Sequence, residues 1–140
     1  MRSNQYRDMT QRSAPILLWA LLAGPAAHAA GDPVKGETQF GQCTACHTVV
    51  DGGAEIVGPN LFGVIGKAAA TRGKTFDYSP ALKASGIVWT DEKLDLWIKS
   101  PATLVPGTKM EFVGVSRPET RSNIIAYLKS INATANATAK

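Results

Sequence analysis

The segment "GQCTACHTVV", residues 41–50, concentrates the side chains best suited to chemistry. It holds the chain's only two cysteines, Cys43 and Cys46, with His47 directly behind them. Three chemistries use this spacing. A redox dithiol uses C-x-x-C, but beside a βαβ unit, and no strand alternation of useful length is legible here. A zinc site takes four ligands, and residues 30–140 supply only three of the Cys/His type. The third chemistry is covalent haem attachment. Two thiols separated by two residues at a helix end reach one edge of a macrocycle, add across its two vinyl groups as thioethers, and leave the adjacent imidazole beneath the ring to bind iron. The motif uses every cysteine and the sole histidine of residues 30–140, which favours the haem reading.

An iron bound only by His47 has an open face for a gas or peroxide, and a second protein ligand closes it. Met110 is the one thioether in residues 30–140. A lone methionine is ordinarily core filler. This one stands between Lys109 and Glu111 in the Pro/Gly-punctuated "VPGTKMEF", poor surroundings for a core residue. Both readings of the sixth position stand at this level: an electron carrier closed by Met110, or a haem enzyme or gas/peroxide-binding protein with an open site. The absence of a second histidine in this part of the chain disfavours the latter.

These groups need elements to position them. "GDPVKGETQFGQC" (31–43) predicts a first helix with Asp32 as N-cap, Pro33 at the first position, Val34 and Phe40 as apolar contacts, and Gly36 leaving room for a crossing backbone. Residues 48–76 hold six glycines and little period, and read as loop, with Gly58 and Pro59 setting a turn and 68–74 exposed. "DYSPALKASG" (77–86) suggests a short helix ended by Gly86. "TDEKLDLWIKS" (90–100) starts at a Thr90 cap, places Leu94, Trp97 and Ile98 on one face, and stops at Pro101. Residues 101–112 read as loop. A last helix opens on the Ser116/Glu119 capping box, carries Ile124, Tyr127, Leu128 and Ile131 at i, i+3, i+4, i+7, and frays over 132–140. The fold class is small and all-α, and Gly/Pro loops this long in so short a chain either wrap something or are disordered. A haem serves as the middle of a core too small to stand alone.

The first 29 residues differ from the rest. Arg2, Arg7 and Arg12 precede the apolar "APILLWALLAGPAA", and Ala27 and Ala29 form an A-x-A site. That is the pattern of a cleaved signal peptide, with an N-terminal membrane anchor as the alternative and either Met1 or Met9 as the start. The expected product is one exported domain, residues 30–140, in the periplasm. Its 12 Lys+Arg against 10 Asp+Glu give a formal +2, against +4 for the whole chain. With no basic run and no interleaved aromatics, the pattern does not suit a nucleic-acid binder.

Five segments in order, "CTACHTV", "GPNLFG", "FDYSPALKASGIVW", "PGTKM.F" and "IIAYLK", resemble class I cytochrome c of the mitochondrial and bacterial cytochrome c2 type, from about Gly31 to Ile131. The resemblance implies haem c on Cys43 and Cys46, with His47 and Met110 as axial ligands. It implies a Pro59 carbonyl receiving the His47 N–H, and Tyr78 and Trp89 bonded to a haem propionate. Thr108 would lie near that edge, Phe112 beside the exposed haem edge, and Gly36 and Phe40 across Tyr127. It implies a soluble monomeric one-electron carrier, not an enzyme. Its donor would be a membrane complex such as a quinol–cytochrome c oxidoreductase. Acceptors would be a terminal oxidase, a photosynthetic reaction centre or a peroxidase. There are departures. Lys67 stands where the family has a buried arginine near a propionate, with Arg72 a possible substitute. Leu82 replaces a polar residue and Trp97 a tyrosine near the methionine sulfur. Few lysines surround the haem edge, which implies weak electrostatic steering of partners.

Overall fold

Asp32 starts the first helix as expected: its Oδ1 accepts from the amides of Val34 (2.9 Å) and Lys35 (3.2 Å), and Pro33 fills the first position. The computed structural model describes residues 30–73 and 75–138. The predicted leader, residues 1–29, lies outside the described residues. Helix α1, Pro33–Phe40, runs on into a 3₁₀ turn, Gly41–Cys43. Gly36 and Phe40 lie at i and i+4 and face the last helix. A Cβ at Gly36 would lie 2.0 Å from the Asn123 carbonyl oxygen, so the crossing requires glycine. The Phe40 ring packs 5.5 Å from that of Tyr127 at 53°. Val34, expected as an apolar contact, is instead 75% exposed. Two residues from Gly36 is about 200° around a helix, which puts Val34 on the far side.

Helix α2, Pro80–Ala84, is capped by Ser79 Oγ, which accepts from the Leu82 amide at 3.1 Å, and the chain turns at Gly86 with φ +64°. Helix α3, Asp91–Lys99, begins at Thr90 and buries Leu94, Trp97 and Ile98. Residues 101–112 are not all loop. Ser100 is extended (φ −166°), which breaks α3, and Pro101 then opens a short helix α4, Pro101–Leu104. A proline that stops one helix is pre-organised to start the next.

Helix α5 spans Pro118–Thr138. It begins two residues after the expected Ser116 cap, with proline at its first position. The helix includes the backbone through Thr138. Once nucleated, a helix gains one hydrogen bond per added residue, and the alanines of this segment are the best helix formers.

Ile124, Ile125 and Leu128 of α5 meet Leu94, Trp97 and Ile98 of α3 in the core, with Phe40, Val64, Tyr78, Leu82 and Trp89. The rings of Trp89 and Trp97 lie 5.3 Å apart. Among the described residues there is no strand, only an isolated bridge between Ala68 and Val88, and no helix long and apolar enough to cross a membrane. The all-α expectation holds.

Candidate functional site

The core encloses a cavity of about 670 Å³, within the usual range for a small-molecule or cofactor site. All nine residues singled out in the sequence line it: Cys43, Cys46, His47, Pro59, Tyr78, Trp89, Thr108, Met110 and Phe112.

Cys43 ends the 3₁₀ turn that extends α1, and its carbonyl accepts from the amides of Cys46 (3.0 Å) and His47 (2.9 Å). That tight turn brings both sulfurs and the imidazole to one cavity. Burial, and then the neighbouring Cys46, push the Cys43 thiol up to about 11. A redox dithiol needs a stabilised thiolate, so this environment opposes that reading. Among the described residues no three His, Cys, Asp or Glu side chains converge to hold a metal ion, which opposes the zinc reading.

The His47 Nδ1 lies 2.8 Å from the Pro59 carbonyl. A carbonyl only accepts, so Nδ1 carries the proton and Nε2 keeps its lone pair. Burial lowers the His47 pKa, opposed by this hydrogen bond, and a neutral imidazole is the form that binds metal. Gly58 completes the seat. A Cβ there would lie 2.4 Å from His47 Cε1, and its amide donates to the Cys46 carbonyl at 2.7 Å. Gly58 read as a turn residue in the sequence; its role as the surface under the imidazole is a long-range contact that no local pattern carries. Asn60 locks the same loop by donating to Val50 (2.8 Å) and Gly53 (2.9 Å) carbonyls and accepting from the Phe62 amide (2.8 Å).

Met110 is half-buried in a turn held by its amide donating to Thr108 Oγ1 (3.2 Å) and the Phe112 amide donating to the Met110 carbonyl (3.1 Å). Thr108 thus shapes the Met110 turn besides lining the cavity. Tyr78 is buried and its hydroxyl donates to the Arg72 carbonyl, a partner the sequence did not indicate. Burial and the nearby Glu55 raise the Tyr78 pKa to about 12, against the pull of Arg72, so the phenol stays a donor. Lys67 is exposed and does not line the cavity; Arg72 does.

The lining suits a flat apolar macrocycle bearing carboxylates. Its walls are mainly aliphatic and aromatic, two thiols and one imidazole stand together, and the buried Arg72 Nε has no hydrogen-bond partner.

No protein-family model matches the chain. The cytochrome c2 of Rhodomicrobium vannielii is 46% identical over 109 residues, covering 78% of this chain and 86% of its own length. This chain belongs to the class I cytochrome c family. The cytochrome c2 of Blastochloris viridis is 43% identical over 116 residues, covering 83% of this chain and 91% of its own. The solved structure of cytochrome cH from Methylobacterium extorquens superposes with a TM-score of 0.68 at 43% identity, over 71% of this chain and 99% of that one. The cytochrome accordingly carries covalent haem c and is an electron-transfer protein, not an enzyme.

The cytochrome's Met110 loop is clasped to the loop before α2. Lys109 Nζ sits 2.5 Å from Asp77 Oδ2, and Lys83 Nζ lies 3.8 Å from Oδ1. The hydrogen bond and charge of Lys109 hold the Asp77 carboxyl below its ordinary 3.8. A depressed carboxylate pKa stabilises the fold fully above the unfolded pKa and loses that contribution as pH falls through the folded one. Asp77→Asn is therefore expected to be destabilised by a small, constant amount above the ordinary carboxylate range and to converge with the parent as pH falls through the lowered Asp77 pKa. Denaturant melts across that range measure it, and a gap that persists in acid would contradict the clasp.

Proposed function

We propose that this chain is a periplasmic one-electron carrier in which Cys43 and Cys46 hold the haem and His47 and Met110 ligate its iron. The observation that carries this reading is the His47 imidazole: its Nδ1 is tied to Pro59, its Nε2 is free, and it shares one cavity with both thiols and the Met110 thioether.

When bound, the haem supplies a reversible ferric–ferrous couple. The chain's own residues set how well that couple works. The Pro59 carbonyl fixes the imidazole's tautomer and raises its basicity. A thioether at the sixth position favours the ferrous form, as does a dry apolar pocket. The turn built by Thr108 and Phe112 keeps Met110 in place through both states. Trp89, Trp97, Leu82 and Leu94 exclude water, so little rearranges when charge changes. Half-buried Phe112 lines the cavity near exposed Glu111 and Val113, where a partner can approach.

The leader pattern of residues 1–29 supports export to the periplasm, where haem is attached to such motifs. The partners are membrane electron-transfer complexes: a quinol–cytochrome c oxidoreductase as donor, and a terminal oxidase, a reaction centre or a peroxidase as acceptor. Lys109 is paired with Asp77 and stands beside Glu111, which supports modest electrostatic steering.

Expression of the full chain with a working haem-attachment system tests the reading. A coloured product is expected whose pigment stays with the polypeptide in acidified organic solvent, and replacing both cysteines with serine should release it. A colourless product, or pigment extracted from the parent, would end the proposal.

A further inference from the structure

The cavity lining carries one arginine, Arg72, and one lysine, Lys109. Lys109 is committed to Asp77. Arg72 is not committed: its Nε is fully buried and has no hydrogen-bond partner among the described residues. An unsatisfied buried guanidinium nitrogen is costly, and a native structure retains one where something else meets it.

The chain takes several measures to aim this residue. The Ala69 amide donates to the Ile87 carbonyl at 2.7 Å, and Thr71 Oγ1 donates to the Ala68 carbonyl at 2.7 Å, closing the turn before it. Ala70 is left-handed at φ +59°, a conformation L residues rarely hold without support. On the other side Gly73 has φ +71°, and a Cβ there would lie 1.6 Å from Glu55 Oε1, so Glu55 occupies the space only glycine leaves. Glu55 Oε2 also accepts from Thr75 Oγ1 at 3.0 Å. The Arg72 carbonyl is held by the Tyr78 hydroxyl. Its Nη1 reaches the Gly63 turn, 4.0 Å from where a Cβ there would stand. The residue is fixed before and after, with Nε left over.

Lys67 has a different position. It is exposed, and its backbone is spent on the Trp89 amide (2.9 Å) and the Val64 carbonyl (3.1 Å). A haem bears two carboxylates on the edge away from its vinyl groups, and a carboxylate brought into an apolar cavity needs a fixed cation. We propose that Arg72, not Lys67, is the residue that receives a haem carboxylate in this cytochrome. It is a positioning residue for the cofactor, and the assignment rests on the haem reading of the cavity.

The test is the midpoint potential of the purified haem-loaded protein at fixed pH and ionic strength. Removing a fixed positive charge beside the haem favours the ferric form, which carries one more positive charge. Arg72→Gln is expected to lower the ferrous-to-ferric ratio at a given applied potential by about tenfold, which is 59 mV for one electron. Arg72→Lys should retain most of the parent value, and Lys67→Gln should leave it unchanged. The inference is overturned if Arg72→Gln keeps the parent potential or if Lys67→Gln shifts it as far. If Arg72→Gln does not yield folded holoprotein, the other two variants decide. A parental potential in both supports the inference, and a large shift in Lys67→Gln overturns it. Failure of the parent itself to retain haem would instead defeat the functional reading, so the two failures are distinct.

Discussion

Met110→Ala is expected to convert a protein whose ferrous form resists carbon monoxide into one that binds it rapidly at neutral pH. Residues 30–140 contain no second thioether and no second histidine, so no side chain of either kind replaces the one removed. The turn around Met110 has its own supports, through Thr108 Oγ1 and the Phe112 amide. Truncating the side chain should therefore open the site without unfolding it. The weak far-red charge-transfer band of a Met-ligated ferric haem should disappear. The midpoint potential should fall by on the order of 0.2 V, a fraction of the roughly 0.8 V over which axial ligands tune haem iron. The fall follows from losing a thioether that favours the ferrous state. Optical titration with carbon monoxide reads the opened site, and a redox titration beside the parent protein reads the potential. A variant that keeps the band and still excludes carbon monoxide would show that Met110 is not the ligand, and a parent that binds carbon monoxide would favour the open-site rival.

Arg121→Ala is expected to cost about 3 kcal/mol of stability, the low end of the loss on breaking a buried, hydrogen-bonded ion pair, because Asp95 keeps 32% of its side chain exposed. Arg121 lies on α5 and is 5% exposed. Its Nε donates to Asp95 Oδ1 at 2.7 Å and its Nη2 to Oδ2 at 3.2 Å, a fork that ties α5 to α3. Its Nη1 donates to the carbonyls of Val115 (3.0 Å) and Ser116 (2.8 Å), fixing the chain as it enters α5. Alanine leaves two carbonyls and a carboxylate without their donor. For a domain of this size the loss lowers Tm by more than about 10 °C. Lysine should recover little, since a point charge cannot reproduce the planar fork. The control is Lys129→Ala. Lys129 Nζ is 2.7 Å from Asp91 Oδ2, but the two side chains are 51% and 49% exposed, so removing it should cost less than about 1 kcal/mol. Thermal and denaturant unfolding of the haem-loaded variants measure both. Similar losses in the two variants would mean that burial does not set the strength of the Arg121 pair.

The sequence by itself determined the chemistry and the local starts of structure. Cys43, Cys46 and His47 lie within five residues, and a tight turn is enough to bring them together. Asp32 and Thr90 cap helices because an N-cap bonds two or three residues ahead. The apolar face of α3 was legible because Leu94, Trp97 and Ile98 recur at the helical period. Interactions set by distant partners were not. Gly36 was legible as room for a crossing, but its contact at Asn123 depends on how two helices lie. Val34 failed for the same reason: apolarity says that a residue can be buried, and only the crossing decides which face is. Gly58 beneath His47, Arg121 across to Asp95, and Arg72 facing the cavity are likewise contacts between elements. A glycine, an arginine and an aspartate look alike in sequence whether they are solvated or enclosed. Their roles follow from close packing, which joins residues far apart in the chain and is fixed only when the whole fold is assembled.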